Sequence, residues 1–239
     1  MHNILFIGNS LTSFNRGIPY YLERLAASAD PLLSIKADAV LKGGAPLKTL
    51  WRDQKALKFI NTASYDVVVL QEDIPETDVA TFHKYARKFD TRIKATGARS
   101  ILFMAWPYER LGWITQEEIA QAHHDIATEI GIKHDVAPVG LAWQRALEEG
   151  SNLDMYSSDQ EHPSIYGTYL STYVLYATIF GRSPVGLSYP FSSDKIRKYI
   201  FKREWKQWQK SKQEMIFLQR IAWETVQEYQ VQHKPDNFC

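Results

Sequence analysis

The stretch Ile4-Leu5-Phe6-Ile7-Gly8-Asn9-Ser10-Leu11-Thr12 decides the fold. Its unbroken apolar run reads as a short strand buried on both faces, and Gly8-Asn9-Ser10 ends that strand in a loop. The same signature returns at Val67 to Leu70 and at Ile101 to Met104, while Leu33 to Leu41 and a weaker His134 to Val136 bring the expected strands to five. Segments of helical period lie between them. Ile18, Leu22 and Leu25 share one helical face, as do Leu47, Leu50 and Trp51, and as do Ile119, Ala122, Ile126 and Ile130. Thr115 and Glu118 form a capping box that starts the third of these helices. A further helix opens at Pro163, carries Tyr166, Tyr169, Leu170, Tyr173, Val174 and Ala177 on one stripe, and stops at Gly181. Strand and helix in alternation predict an α/β fold with right-handed crossovers and a parallel sheet of about five strands, covered on both faces.

The chain has 239 residues, of which 45% are hydrophobic and 13% aromatic, enough to bury one large core. Its 28 basic and 27 acidic side chains leave a formal charge of +1, so no global field draws it to nucleic acid or to an anionic membrane. The lone cysteine, Cys239, excludes an intrachain disulfide framework and a cysteine-based zinc cluster. No apolar run is long enough to span a bilayer, and the residues after Met1 do not make a signal peptide; a cytoplasmic protein is the expectation.

In such a sheet, ligands bind beyond the carboxyl ends of the strands. Four segments there carry chemistry: Gly8 to Thr12, Gly43-Gly44, Gln71-Glu72-Asp73 and Asp159-Gln160-Glu161-His162-Pro163. A serine hydroxyl becomes a nucleophile when a histidine takes its proton, and the histidine works best when a carboxylate fixes its tautomer. Asp159 and His162 are close enough in sequence for one turn to pair them, leaving the other ring nitrogen for Ser10. The N–H of Ser10, the N–H of Gly44 and the side-chain amide of Gln71 are the candidate donors to the oxyanion of a tetrahedral intermediate.

These residues resemble a known family. Gly8-Asn9-Ser10-Leu11 is similar to the GDSL block of the SGNH hydrolases, with Asn9 where an aspartate is usual, and Asp159-Gln160-Glu161-His162 matches that family's terminal D-x-x-H block. Gly44 matches the glycine of the second block. The resemblance runs from about residue 3 to about residue 187, and the phrases Val67 to Glu72 and Val136 to Trp143 look like a bacterial branch of SGNH-like proteins. It implies a three-layer α/β/α sandwich with a flavodoxin-like sheet, and esterase, lipase or carbohydrate-deacetylase activity on a small ester, with no cofactor and no metal. One block departs: where the family has G-x-N-D, this chain has Leu70-Gln71-Glu72-Asp73, so Gln71 would have to donate in place of an asparagine.

Each residue also has a structural reading. Ser10 can cap the helix after the first strand, Asp159 and His162 can organise the turn before Pro163, Gly43-Gly44 can be a tight turn, and Gln71 can simply end a strand. Glu72 and Asp73 read as solvated loop carboxylates. With Asp159 they could instead serve a metal-dependent hydrolase, and a noncatalytic ligand-binding protein is the main alternative to the serine hydrolase. His123 and His124 read as partly buried structural histidines; Trp106, Pro107 and Tyr108 read either as pocket lining or as core. Residues 1–187 form the expected hydrolase-like domain and residues 188–239 a helical extension packed on it or on a second copy. Within that extension, Lys195 to Lys212 holds eight basic residues and one acid around Tyr199, Phe201, Trp205 and Trp208, read as an amphipathic helix rather than a nucleic-acid site. Met215, Leu218, Ala222, Val226 and Tyr229 continue the apolar stripe.

Overall fold

The computed structural model describes residues 1–150, 152–187 and 202–233, the side chains of 202–211 excepted. Five parallel strands, β1 (His2–Gly8), β2 (Ile35–Leu41), β3 (Val67–Gln71), β4 (Arg99–Phe103) and β5 (Val136–Ala137), form one sheet in the order β2-β1-β3-β4-β5. All five expected strands are present. The last is shorter than its apolar pattern, because His134 lies in the 3₁₀ turn Lys133–Asp135 that leads into it.

Alternation along each strand divides the core between the two faces. Ile4, Phe6, Val67, Val69, Ile101 and Phe103 point to one face, and Leu5, Ile7, Val68, Leu70 and Leu102 to the other. Helix α1 (Ser10–Ser13) continues directly from β1, and α2 (Ile18–Ala26) then carries the chain back to β2 on the first face. Helices α3 (Leu47–Arg52), α4 (Lys55–Thr62), α5 (Val79–Lys94) and α6 (Gln116–Glu129) cover the second face. The crossovers that leave β1 and β3 therefore run to opposite sides of the sheet, which opens a crevice between the ends of these two strands. The Thr115–Glu118 capping box forms as its sequence indicates.

Helices α7 (Val139–Glu148), α8 (Ile165–Phe180) and α9 (Lys202–Gln232) complete the first layer. α8 is apolar almost all round and buried on nearly every side. It is enclosed because the sheet lies under it and α9 lies over it, with Met215, Leu218, Ile221, Ala222 and Val226 joining the same core. Pro163 does not open this helix. Ser164 caps it through bonds from Tyr166 N and Gly167 N, and Pro163 pairs back with Tyr156 in an isolated bridge, whereas Gly181 ends the helix in the left-handed conformation. Arg145 of α7 bonds Glu224 and Glu228 of α9, so the outer helix is tied by charge as well as by apolar area. Tyr199 and Phe201, and the side chains of Trp205 and Trp208, lie outside the described residues. None of the described helices is long and apolar enough to cross a membrane.

A chain truncated after Leu187 would leave the outer face of α8 uncovered. It is expected to lose cooperative thermal unfolding and to bind ANS, the marks of lost packing. A cooperative melt matching the full chain would show that α9 is dispensable for the fold.

Candidate active site

The segment after β1 is shaped by Asn9. Its backbone is extended, and its Oδ1 accepts Leu11 N–H at 3.0 Å, so Asn9 rather than Ser10 caps α1. Thr12 N and Ser13 N both donate to Asn9 O, and Asn9 N donates to Gln71 Oε1. Ser10 opens the helix with its backbone N–H and its hydroxyl both uncommitted among the described residues. A serine with no structural task, at the switch point of a parallel sheet, is available for chemistry.

Gln71 does not face that chemistry. It is 1% exposed, its Oε1 accepts Asn9 N–H at 2.8 Å and the Thr12 hydroxyl at 3.3 Å, and its Nε2 donates to Glu72 O at 2.7 Å. This corrects the expectation that the Gln71 side-chain amide donates to the oxyanion: the amide braces the Ser10 turn from beneath. A Cβ at position 8 would lie 2.6 Å from Gln71 Oε1, which is why a glycine precedes Asn9.

The glycine loop lies beside this turn. Lys42 N donates to Gly8 O and Ala45 N to Lys42 O, which leaves the N–H groups of Gly43 and Gly44 without an acceptor among the described residues. Gly44 has φ +60°, the left-handed region that favours glycine. Beyond it, Leu47 N is held by Glu72 Oε1 at 3.2 Å, and the same oxygen accepts Asp73 N at 2.9 Å.

Glu72 and Asp73 are thus buried, contrary to their reading as solvated loop carboxylates, because both are used to anchor the backbone and side chains around the crevice. Burial pushes the Glu72 carboxyl up to about 7, against the lowering effect of its two backbone donors. Asp73 accepts Tyr108 Oη at 2.5 Å and Asn9 Nδ2 at 3.1 Å, and burial raises its pKa as well. Among the described residues, Glu72 and Asp73 do not come together with Asp159 in a cluster that could hold a metal ion.

On the far side, Asp159 organises a compact turn. Its Oδ1 accepts the Ser157 hydroxyl, Glu161 N and His162 N, while Oδ2 meets His162 Nδ1 at 2.8 Å. The imidazole therefore carries its proton on Nδ1 and presents Nε2 as an acceptor. Burial opposes the charge on Asp159, but the bonds from Ser157, His162 and Glu161 outweigh it and hold the carboxyl well below the usual range. Trp106 Nε1 donates to Glu161 O at 3.0 Å, and Arg110 bridges Glu161 to Glu76. Trp106 and Tyr108 are fully buried, so of their two readings the structure selects the core one. His123 is buried as well, bonded to Ile119 O, with its pKa pushed down to about 4 by desolvation.

The Ser10 segment and the His162 turn meet. The Phe14 ring stacks on the His162 imidazole with centroids 4.5 Å apart, and Asn15 Nδ2 donates to Pro163 O and to Thr168 Oγ1, each at 2.9 Å. Sequence reasoning missed both residues. The one signal for Asn15 is chemical: asparagine tolerates the left-handed backbone it adopts here.

No family model and no curated protein matches the chain. Among solved structures it is similar to a protein of Slackia heliotrinireducens described as a candidate SGNH hydrolase, with 26% identity over 74% of this chain and 98% of the other, at a TM-score of 0.61. It is also similar to a DUF4886 family protein from Bacteroides uniformis, 15% identical over 95% of each chain, at a TM-score of 0.67. A mutant of an acetyl-xylooligosaccharide esterase from Geobacillus matches at 18% identity over 78% of this chain and 95% of its own, with a TM-score of 0.58. The five-strand parallel sheet flanked by helices is the SGNH hydrolase fold, consistent with the resemblance carried by the sequence blocks.

Two measurements test the separation of braces from uncommitted groups. Ser10→Ala should leave unfolding free energy within about 0.5 kcal/mol of the wild type, whereas Gln71→Ala should cost about 1–3 kcal/mol by stranding Asn9 N–H and the Thr12 hydroxyl. Equal effects would contradict the assignment. For Glu72 the folded pKa of about 7 lies above the ordinary 4.5. The stability this group contributes is therefore fully present below about pH 4.5 and lost as pH rises through 7. In Glu72→Gln, the amide oxygen can still accept both N–H groups, and the fall in urea midpoint between pH 5 and 8 should become shallower. An unchanged slope would mean that Glu72 titrates normally.

Proposed function

We propose that this protein is a serine hydrolase that cleaves small acyl esters through an acyl-enzyme on Ser10, with O-acetyl groups on carbohydrate as the first substrate class to test. The observation that carries the reading is the uncommitted Ser10 hydroxyl at the β1/β3 switch point, in a segment that touches the His162–Asp159 turn. The esterase neighbour acts on acetylated xylooligosaccharides, which supports this choice of substrate without deciding it.

In the proposed reaction, Ser10 Oγ attacks the acyl carbonyl while His162 Nε2 takes the hydroxyl proton, and Asp159 steadies the resulting imidazolium. The oxyanion receives the N–H groups of Ser10 and Gly44, two of the backbone donors left uncommitted on the adjoining loops among the described residues, Gly43 N–H being the third. The tetrahedral intermediate collapses, the C–O bond to the alcohol breaks, and the alcohol leaves with the proton returned by His162. Water then repeats the sequence on the acyl-enzyme and releases the acid. His162 acts as base through its unprotonated Nε2. Gln71 serves by holding the Ser10 turn.

Hydrolysis of p-nitrophenyl esters of increasing chain length, with mass spectrometry after a fluorophosphonate probe, tests the reading. Turnover and labelling on Ser10 are expected in the wild type, and Ser10→Ala should reduce turnover by at least about 10³-fold. Neither turnover nor labelling in the wild type would favour a noncatalytic ligand-binding protein.

A further inference from the structure

Ser10 and His162 lie 152 positions apart in the chain, yet proton transfer between them needs a geometry fixed to within a fraction of an ångström. The sheet cannot supply that precision on the His162 side. The strand nearest before it, β5, ends at Ala137, and the His162 turn is an irregular loop between α7 and α8. Something else must set the register between the two segments.

The residues immediately after α1 do so. Asn15 and Arg16 are consecutive non-glycine residues in the left-handed region, with φ +53° and +78°. Such a pair is disfavoured for L-residues and persists only where the surroundings hold it. What holds it is visible: Asn15 Nδ2 donates to Pro163 O, the carbonyl next to His162, and to Thr168 Oγ1 in the first turns of α8. The same turn sets the Phe14 ring against the His162 imidazole, the two planes only 19° apart. The imidazole is thus held at its edge by Asp159 and on its face by Phe14.

We propose that Asn15, with Phe14, is a positioning residue that clasps the nucleophile turn to the base-bearing turn and so sets the approach of His162 Nε2 to Ser10 Oγ. This inference rests on the serine-hydrolase reading for its catalytic consequence, though the clasp can be tested apart from it. Asn15 touches no reacting atom; it acts through Pro163 and through the face of His162.

Two substitutions separate its parts. Asn15→Gly keeps the left-handed backbone without strain but removes the donor. Asn15→Asp keeps shape and backbone tolerance but sets a carboxylate against Pro163 O. Both should lower kcat for p-nitrophenyl acetate by about 10- to 100-fold with KM within about twofold, and Asn15→Asp should be the slower. The activity-independent readout is the proton NMR of the His162 ring, whose hydrogens should carry an upfield ring-current shift from Phe14 in the wild type and lose it in Asn15→Gly. A wild-type kcat together with an unmoved His162 spectrum in Asn15→Gly would overturn the clasp. An inactive, unlabelled wild type would instead sink the hydrolase reading, and the ring-current shift would still decide the clasp.

Discussion

The buried bond from Asn9 N–H to Gln71 Oε1 is the constraint on which the candidate site depends. β1 and β3 pair in parallel as far as Ile7 and Leu70. Their crossovers then diverge, and the backbone beyond the last ladder bond loses its partner in a place where water cannot replace it. Gln71 substitutes a side-chain oxygen for the missing strand. The Gln71 side chain passes against Gly8, where a Cβ would meet its Oε1, and so reaches the Asn9 backbone.

With Asn9 fixed in this way, the remaining polar groups around the crevice fall into two classes. Asn9, Thr12, Gln71, Glu72, Asp73 and Tyr108 satisfy one another and are buried. The Ser10 hydroxyl, Ser10 N–H and Gly44 N–H are not consumed by that network. A buried network that is fully satisfied rigidifies its surroundings, and a rigid frame lets a few groups remain uncommitted without being pulled into local bonds. The cost falls on the two carboxylates, whose burial disfavours their charged forms.

The second half of the site is built by a different device. Asp159 folds its own turn with one carboxylate oxygen and orients the imidazole with the other. That turn is moored from three directions: by the side chains of Trp106 and Arg110 from the segment after β4, by the side chain of Asn15 from the segment after β1, and by the backbone Tyr156–Pro163 bridge within the loop itself. Side-chain moorings let an irregular loop hold a fixed position at the edge of a sheet that offers it no ladder.

By itself the sequence determined the sheet and the local chemistry. Strand runs and helical stripes are written in periods of a few residues, so five strands, the Thr115 capping box and the apolar stripe from Met215 to Tyr229 could be read directly. The Asp159–His162 pair was legible for the same reason, since both partners lie within one turn. Tertiary structure decided everything that joins distant segments. That Gln71 faces inward, that Glu72 and Asp73 are buried and that Phe14 and Asn15 meet the His162 turn all depend on contacts across 25 to 153 positions. No local period encodes such contacts. The physical reason is that a polar side chain's role is set by which donors and acceptors its environment leaves unpaired, and that accounting closes only when the chain has folded.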